Sequence, residues 1–367
     1  MQFQISMMNI LLVKLSSLGD VLHNLPVVWD IRNSYPKAYI AWVVEEQYVK
    51  ILEPLLTKED FLGIDLIIPI SLRRWKKEIL KGSFKDVWRE FFAFRKSLEV
   101  RHWDVIIETQ GLIKSALVTA WAKQSSMRSF DQTATAEEGL NNKVKVVGLA
   151  NKTEYSGYEP LARFFYDQSV QVPFHDHAVD RSRLVLAQGL GKTVPNRISL
   201  PPQFYPDSFV QNLILQSNPL GLSINQYVMC FHATARQAKC WDESYWVELG
   251  NYLISRNLTP VFPWGNTGEK ELSDSLAKRV VGGIVPRAFS IAQAFVLIAQ
   301  ARLTVGVDTG LTHLSAILNR PTIEIYVDSP LWKTQGYWDT KIINLGDKGS
   351  PPNIAEVITA VDKLCNL

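Results

Sequence analysis

The sequence predicts an α/β protein built from two doubly wound parallel sheets. Three observations carry this. Short β-branched apolar runs alternate with longer segments of helical periodicity, the pattern of βαβ units. The alternation runs once through the first half of the chain and again through the second. Several apolar runs end in a small polar turn that leads straight into a helical pattern, as in I-L-L-V-K-L-S-S-L-G-D-V-L-H-N-L-P over 10–26 and T-V-G-V-D-T-G-L-T-H over 304–313.

In chain order, 9–14 (N-I-L-L-V-K) is a buried strand and 20–34 a helix, with Pro26 early in it, where a missing N–H costs least. Residues 38–44 (A-Y-I-A-W-V-V) are β-branched and aromatic, hence a strand; 48–56 read as helix. I-D-L-I-I-P-I at 64–70 and W-D-V-I-I-E-T at 103–109 are the third and fourth strands, and 112–123 is helical. Two stretches break the alternation: 71–81 is basic with apolar residues interleaved, and 124–152 is polar enough to predict a long mobile loop. The second half gives a strand at 227–232, then a helix at 243–256 that Asp242 is placed to cap. A strand and turn follow at 258–265, a helix at 268–280, a strand at 301–308, a helix at 311–318 and a strand at 322–327. An amphipathic helix closes the chain at 354–364. The two halves join near 190–225, where P-P-Q-F-Y-P occupies 201–206.

A chain of 367 residues is long enough for two domains. Its formal net charge of +3 makes a general polyanion binder a poor expectation, so an acidic partner must meet a local patch. Nucleic acid is not expected, because no recognition motif accompanies the short basic stretch. Three cysteines without C-x-x-C spacing give neither a disulfide framework nor a zinc site and suit a reducing compartment. The first residues do not read as a signal peptide, Met7 or Met8 could be the start, and no window is apolar enough for a membrane span.

D-T-G-L-T-H at 308–313 is the sharpest local signal. Asp308 ends a strand, Gly310 permits a tight turn and a helix begins at once, so free backbone N–H groups are available to a phosphate. H-A-T-A-R-Q-A-K at 232–239 brings Arg236 and Lys239 to another strand end, where cations stabilise a departing phosphate. P-W-G-N-T-G-E at 263–269 brings Glu269, fit either to cap a helix or to accept from a ribose. Asp20 is likewise either a helix cap or a base. The stretch with Arg73, Arg74, Lys76, Lys77 and Lys81 suits an anionic amphiphile or an acidic membrane surface, or is simply a solvated helix face. G-L-G-K-T at 189–193 lacks the first glycine and the preceding strand of a P-loop. H-D-H at 175–177 lacks further ligands for a metal.

V-K-L-S-S-L-G-D-V-L-H-N-L-P, W-V-V-E-E (42–46), R-R-W-K-K (73–77), Q-G-L-I-K-S-A (110–116), H-A-T-A-R-Q-A-K, P-W-G and V-D-T-G-L-T-H-L resemble glycosyltransferase family nine, the lipopolysaccharide heptosyltransferases. They occur in the family's order along nearly the whole chain. W-V-V-E-E, R-R-W-K-K and Q-G-L-I-K-S are similar to its type I branch. The resemblance implies the GT-B fold, two Rossmann-like domains facing a central cleft. It implies an acceptor domain at 1–190, an ADP-heptose domain at 191–352 and a terminal helix, 353–367, returning to the first domain. It implies inverting transfer of L-glycero-D-manno-heptose from ADP-heptose to the first Kdo of Kdo-lipid A, peripherally at the cytoplasmic face of the inner membrane of a Gram-negative bacterium, without cofactor or metal.

By the same resemblance Asp20 is the catalytic base. Thr234, Lys239, Glu269, Asp308, Thr309, Gly310 and His313 bind the donor. Ser17, Gly19, Arg73, Arg74, Lys76, Lys77 and Lys114 meet the acceptor. The chain departs from the family pattern at Y-V-D-S-P (326–330), where a Y-G-P-T-like stretch is usual, and at Cys240, where histidine is frequent. Rival readings are a type II-like acceptor, a sugar-nucleotide epimerase of the same fold, and a nucleotide-sugar-binding protein.

Overall fold

The computed structural model describes residues 8–56, 63–131, 143–197, 200–234 and 236–366. The chain divides into two units, Met1–Asn196 and Arg197–Leu367.

The first unit holds, in order, β1 (Asn9–Val13), α1 (Leu18–Leu22), α2 (Leu25–Ser34), β2 (Tyr39–Glu45), α3 (Val49–Leu52), β3 (Leu66–Ile70), α4 (Leu72–Leu80), α5 (Phe84–Ser97), β4 (Val105–Glu108), α6 (Ile113–Asp131), β5 (Lys145–Leu149), β6 (Gln168–Val170) and α7 (Ala178–Gly189). Its sheet has the order β3-β2-β1-β4-β5-β6, with every pair parallel. The inner strands β1, β2, β4 and β5 are buried on both faces, as helix-covered parallel sheets require, and therefore read as continuous apolar runs. Leu11, Val13, Ala41, Val43 and Ile106 on one face join Trp75, Phe94, Trp103 and Val118 in one cluster. Register aligns Val13 with Val43 and Glu108, so the turn after β1 emerges beside the ends of β2 and β4.

The second unit holds α8 (Asp207–Leu215), β7 (Tyr227–Phe231), α9 (Glu243–Ser255), β8 (Thr259–Val261), α10 (Thr267–Arg279), α11 (Ile291–Gln300), β9 (Leu303–Val307), α12 (Gly310–Ile317), β10 (Thr322–Tyr326), α13 (Leu331–Thr334), β11 (Ile342–Gly346) and α14 (Ile354–Cys365). Its sheet, β11-β10-β9-β7-β8, is also parallel throughout.

Several expectations are corrected. The helix over 20–34 is two helices, because Pro26 cannot bond back to Leu22, the last residue of α1. The stretch 124–152 is not one loop: α6 continues to Asp131 and β5 begins at Lys145, while 132–142 lie outside the described residues. The terminal helix is α14 of the second unit. It packs on α9, β9, β10 and β11, with Val357, Ala360, Val361 and Cys365 in the core of the second unit. Asp242 does cap α9, its carboxylate accepting from the Ser244 N–H at 2.7 Å.

Candidate active site

In both units the chemistry-bearing residues gather at the carboxyl ends of the strands, where open α/β sheets bind ligands.

In the first unit, the turn after β1 is pinned from below. Lys14, almost fully buried, donates to the Thr109 carbonyl at 2.9 Å, and the Leu15 N–H donates to Gln110 Oε1 at 2.9 Å. Ser16 Oγ accepts from Gln110 and, at 3.2 Å, from Lys114. Asp20 lies three residues into the turn-helix junction. Its Oδ2 accepts from both the N–H and the hydroxyl of Ser17, each at 2.9 Å, closing the first turn of α1. Asp20 is therefore a capping acid, and both bonds fall on one of its two oxygens. Burial alone would raise its carboxyl. The Lys14 ammonium, the Ser17 N–H and the Arg181 guanidinium outweigh burial and hold it at about 2.

Two cations thus flank Asp20 that the motifs did not single out. Burial, with Arg181 nearby, lowers Lys14 to about 8. Arg181 reaches in from α7, is 5% exposed, bonds Thr153 Oγ1 at 3.0 Å, and leaves its Nε without a partner. Glu108, fully buried at the end of β4, accepts from the N–H groups of Gln110 and Gly111 and from the Tyr166 hydroxyl. Gly111 has φ +76, and a Cβ there would meet Leu149 at 3.0 Å, so this turn requires glycine.

The W-V-V-E-E and R-R-W-K-K segments meet in space. Glu46 holds Arg74 at 2.9 Å and accepts from Ser71 Oγ at 2.6 Å. Arg74 also pairs with Glu78 and Glu90, at 3.2 and 2.8 Å. Arg74 therefore ties the turn after β2, α4 and α5 together rather than standing free for a ligand. Arg73, beside Tyr48, and the exposed Lys76 and Lys77 are not so held. Arg73 and Lys114 temper the buried Glu45, whose carboxyl burial raises.

In the second unit, β8, β7 and β9 are neighbours in the sheet, and Glu269, Lys239 and Asp308 follow them in turn. Asp308 is clamped: Lys239 Nζ binds its Oδ2, and His313 Nε2 and Thr334 Oγ1 meet Oδ1 at 3.0 and 3.2 Å. The other ring nitrogen of His313 meets Glu324 Oε1 at 2.9 Å. Glu324 sits fully buried within β10, where Tyr326 and the Gly336 N–H, each at 3.0 Å, also bond it.

Burial would lower His313, but the two carboxylates raise it to about 10, so it is an imidazolium at neutral pH. Asp308 is held well below the usual range: burial opposes this, and His313 and Lys239 overcome it. The four charges cancel, with Lys239 the most exposed of them. Thr309 is the N-cap of α12 in extended conformation, and the first-turn N–H groups of α12 have no carbonyl within the helix. Gly306 lets α12 lie close on β9, since a Cβ there would run into the Thr312 hydroxyl and come within 3.2 Å of Thr312 Cβ.

Glu269 takes the capping option. Its Oε2 accepts from the Gly265 N–H at 2.7 Å at the start of α10. Thr234 is half-buried in the loop after β7. Asp328, from the divergent Y-V-D-S-P, pairs with Arg236, which gives that departure a structural partner. His175 pairs with Glu154 at 2.9 Å and His177 caps α7, so H-D-H is occupied structurally. Among the described residues no group of three His, Cys, Asp or Glu could hold a metal ion.

Comparison with known proteins agrees with this geometry. The profile of glycosyltransferase family 9 (heptosyltransferase) matches residues 140–359. Lipopolysaccharide heptosyltransferase 1 of Escherichia coli K12 is 31% identical over 92% of this chain and 93% of its own. That of Salmonella typhimurium is 32% identical over 87% and 88%. Among solved structures, E. coli heptosyltransferase WaaC with ADP superposes with TM-score 0.74 at 28% identity, covering 97% of this chain and all of WaaC. WaaC with ADP-2-deoxy-2-fluoro heptose gives 0.69 at 28%, covering 98% and 99%. With two parallel α/β sheets of the GT-B kind, the chain is a glycosyltransferase and belongs to family 9, the heptosyltransferases.

Proposed function

We propose that the protein transfers L-glycero-D-manno-heptose from ADP-heptose, with inversion, to the first Kdo of Kdo-lipid A in the inner core of lipopolysaccharide. The acceptor is presented at the cytoplasmic face of the inner membrane. The observation that carries the reading is the likeness, at 28% identity over 98% of the chain, to a heptosyltransferase solved with an ADP-heptose analogue. The full-length likeness to heptosyltransferase 1 of several Gram-negative bacteria supports the acceptor.

In this reading the acceptor hydroxyl oxygen bonds to the anomeric carbon as the bond from that carbon to the β-phosphate oxygen breaks. The hydroxyl proton passes to Asp20, and ADP leaves with the bonding pair. Asp20, held at about 2, is fully ionised at neutral pH and takes the proton once the attacking oxygen has become acidic in the transition state. Ser17 fixes one of its oxygens and leaves the other for the hydroxyl.

In the second unit Lys239 and the first-turn N–H groups of α12 stabilise the charge that grows on the diphosphate. His313 and Glu324 hold Asp308, and Asp308 holds Lys239. Thr309, Gly310 and Thr234 line the same strand ends, and Glu269 keeps one oxygen for the ribose. No metal is needed where a lysine and a helix end carry this charge. Arg73, Lys76, Lys77, Lys114, Ser17 and Gly19 meet the anionic acceptor.

The test mixes purified protein with ADP-heptose and Kdo-lipid A, in chelator, and follows ADP release and lipid mass. Addition of one heptose supports the reading. ADP binding without any transfer sinks it.

A further inference from the structure

α5 carries apolar side chains on two faces, where a surface helix needs one. Val87, Phe91 and Phe94 face the core cluster. Phe84, Trp88 and Phe92 recur every fourth residue on another side and stay 54%, 57% and 62% exposed. At about 100° per residue, they fall within about 80° of one another. Trp88 and Phe92 stack on each other at 5.7 Å and each meets the Phe91 ring edge-on, at 5.8 and 5.9 Å, with their outer faces left exposed. The stripe runs into an open groove of about 540 Å³ between α4 and α5, whose rim includes Ile79 and Leu80, the latter 79% exposed. Exposed apolar surface of this kind marks an interaction site.

The charges around the stripe select the partner. Lys85, Arg89 and Lys96 occupy the helix flank beside it, Arg89 paired with Asp86 at 3.0 Å, while Glu90 lies farther round. α4 adds the exposed Lys76, Lys77 and Lys81. An aromatic stripe edged with cations fits the interface of an anionic bilayer.

We propose that the outward face of α5, with the α4–α5 groove, inserts into the headgroup region of an anionic lipid bilayer and seats the enzyme where a membrane-held acceptor lies. The purpose rests on the transferase reading; the binding itself does not.

The experiment uses the full chain with vesicles of phosphatidylcholine, with and without added phosphatidylglycerol, and no donor or acceptor. Cosedimentation of wild type with phosphatidylglycerol vesicles is expected, weakening as salt rises. F84S/W88S/F92S, with circular dichroism as for wild type, is expected to bind them ~10-fold more weakly. K85E/R89E should lose the preference for phosphatidylglycerol. Wild type bound to neither vesicle, or the stripe variant bound as tightly as wild type, overturns the proposal. A wild-type dimer that the stripe variant turns into monomer assigns the face to a second copy and overturns it too. The stripe variant should also transfer heptose normally to a deacylated, water-soluble acceptor and lose rate only on a vesicle-held one. Failure of wild type on both acceptors would reject the transferase reading and leave the vesicle result readable.

Discussion

Asp20 caps α1, and the base role proposed for it can be separated from the cap by one substitution. As a cap it needs only an oxygen that accepts from Ser17, and asparagine supplies one. As a base it needs the carboxylate. Asp20→Asn is therefore expected to keep the cap and the fold, to lose the stability that the carboxylate gives the buried Lys14 and Arg181, and to lower the transfer rate ~10²- to 10⁴-fold. Thermal unfolding beside initial rates checks this, and an undiminished rate would leave Asp20 a cap alone. Lys239→Met should cost ~10²- to 10³-fold in kcat/KM for ADP-heptose, with calorimetric ADP binding weakened in parallel. His313, raised from an ordinary 6.5 to about 10, contributes stability that is whole below about pH 6.5 and lost as pH rises through about 10. Wild type should lose melting temperature across that range more steeply than Glu324→Gln, which removes one of the two carboxylates. The difference between the two is the readout, because Lys14, lowered to about 8, titrates there in the opposite sense. Asp20, Lys239, Asp308 and His313 were legible because each sits in a short motif at a strand end. Glu324 left only the trace of an acid inside an apolar strand, and Arg181 left none, since α7 meets Asp20 only through the fold.

At the scale of elements, the parallel strands around the sites were readable because burial on both faces writes a continuous apolar run. The three-residue β6 is too short to write one. α5 was missed because its second apolar face blurs the single stripe that marks a surface helix. The contact of α12 on β9 is the element-level feature most open to test. In Gly306→Ala the new methyl would press on Phe231 and on Thr312, whose hydroxyl bonds the Val307 carbonyl at 2.9 Å. A destabilisation of ~1–3 kcal/mol is expected, with weakened ADP affinity because the helix N-terminus shifts. Unchanged melting and unchanged ADP binding would show that α12 does not depend on this approach.

At the scale of the whole molecule, each unit has its own sheet and core, and the residues proposed to bind the donor lie in the second. Scanning calorimetry should resolve two transitions, and ADP should raise one and leave the other in place. A single transition that moves as one would mean that the units unfold together. Within the first unit, Arg183 on α7 pairs with Asp30 on α2 at 2.7 Å, both almost fully buried. Arg183→Ala should cost ~3–5 kcal/mol in that unit's transition, because it strands a buried carboxylate. The sequence by itself determined the two α/β halves, the strand ends that carry chemistry and the motifs that name the family, because periodicity and short motifs are local. Only the tertiary structure decided that Arg74 is a brace, that the last helix contributes to the core of the second unit, that Lys14 and Arg181 set the charge of Asp20, and that α5 leaves an aromatic face exposed. Each of these depends on which distant side chains share a low-dielectric site or a surface, and spacing along the chain does not encode that.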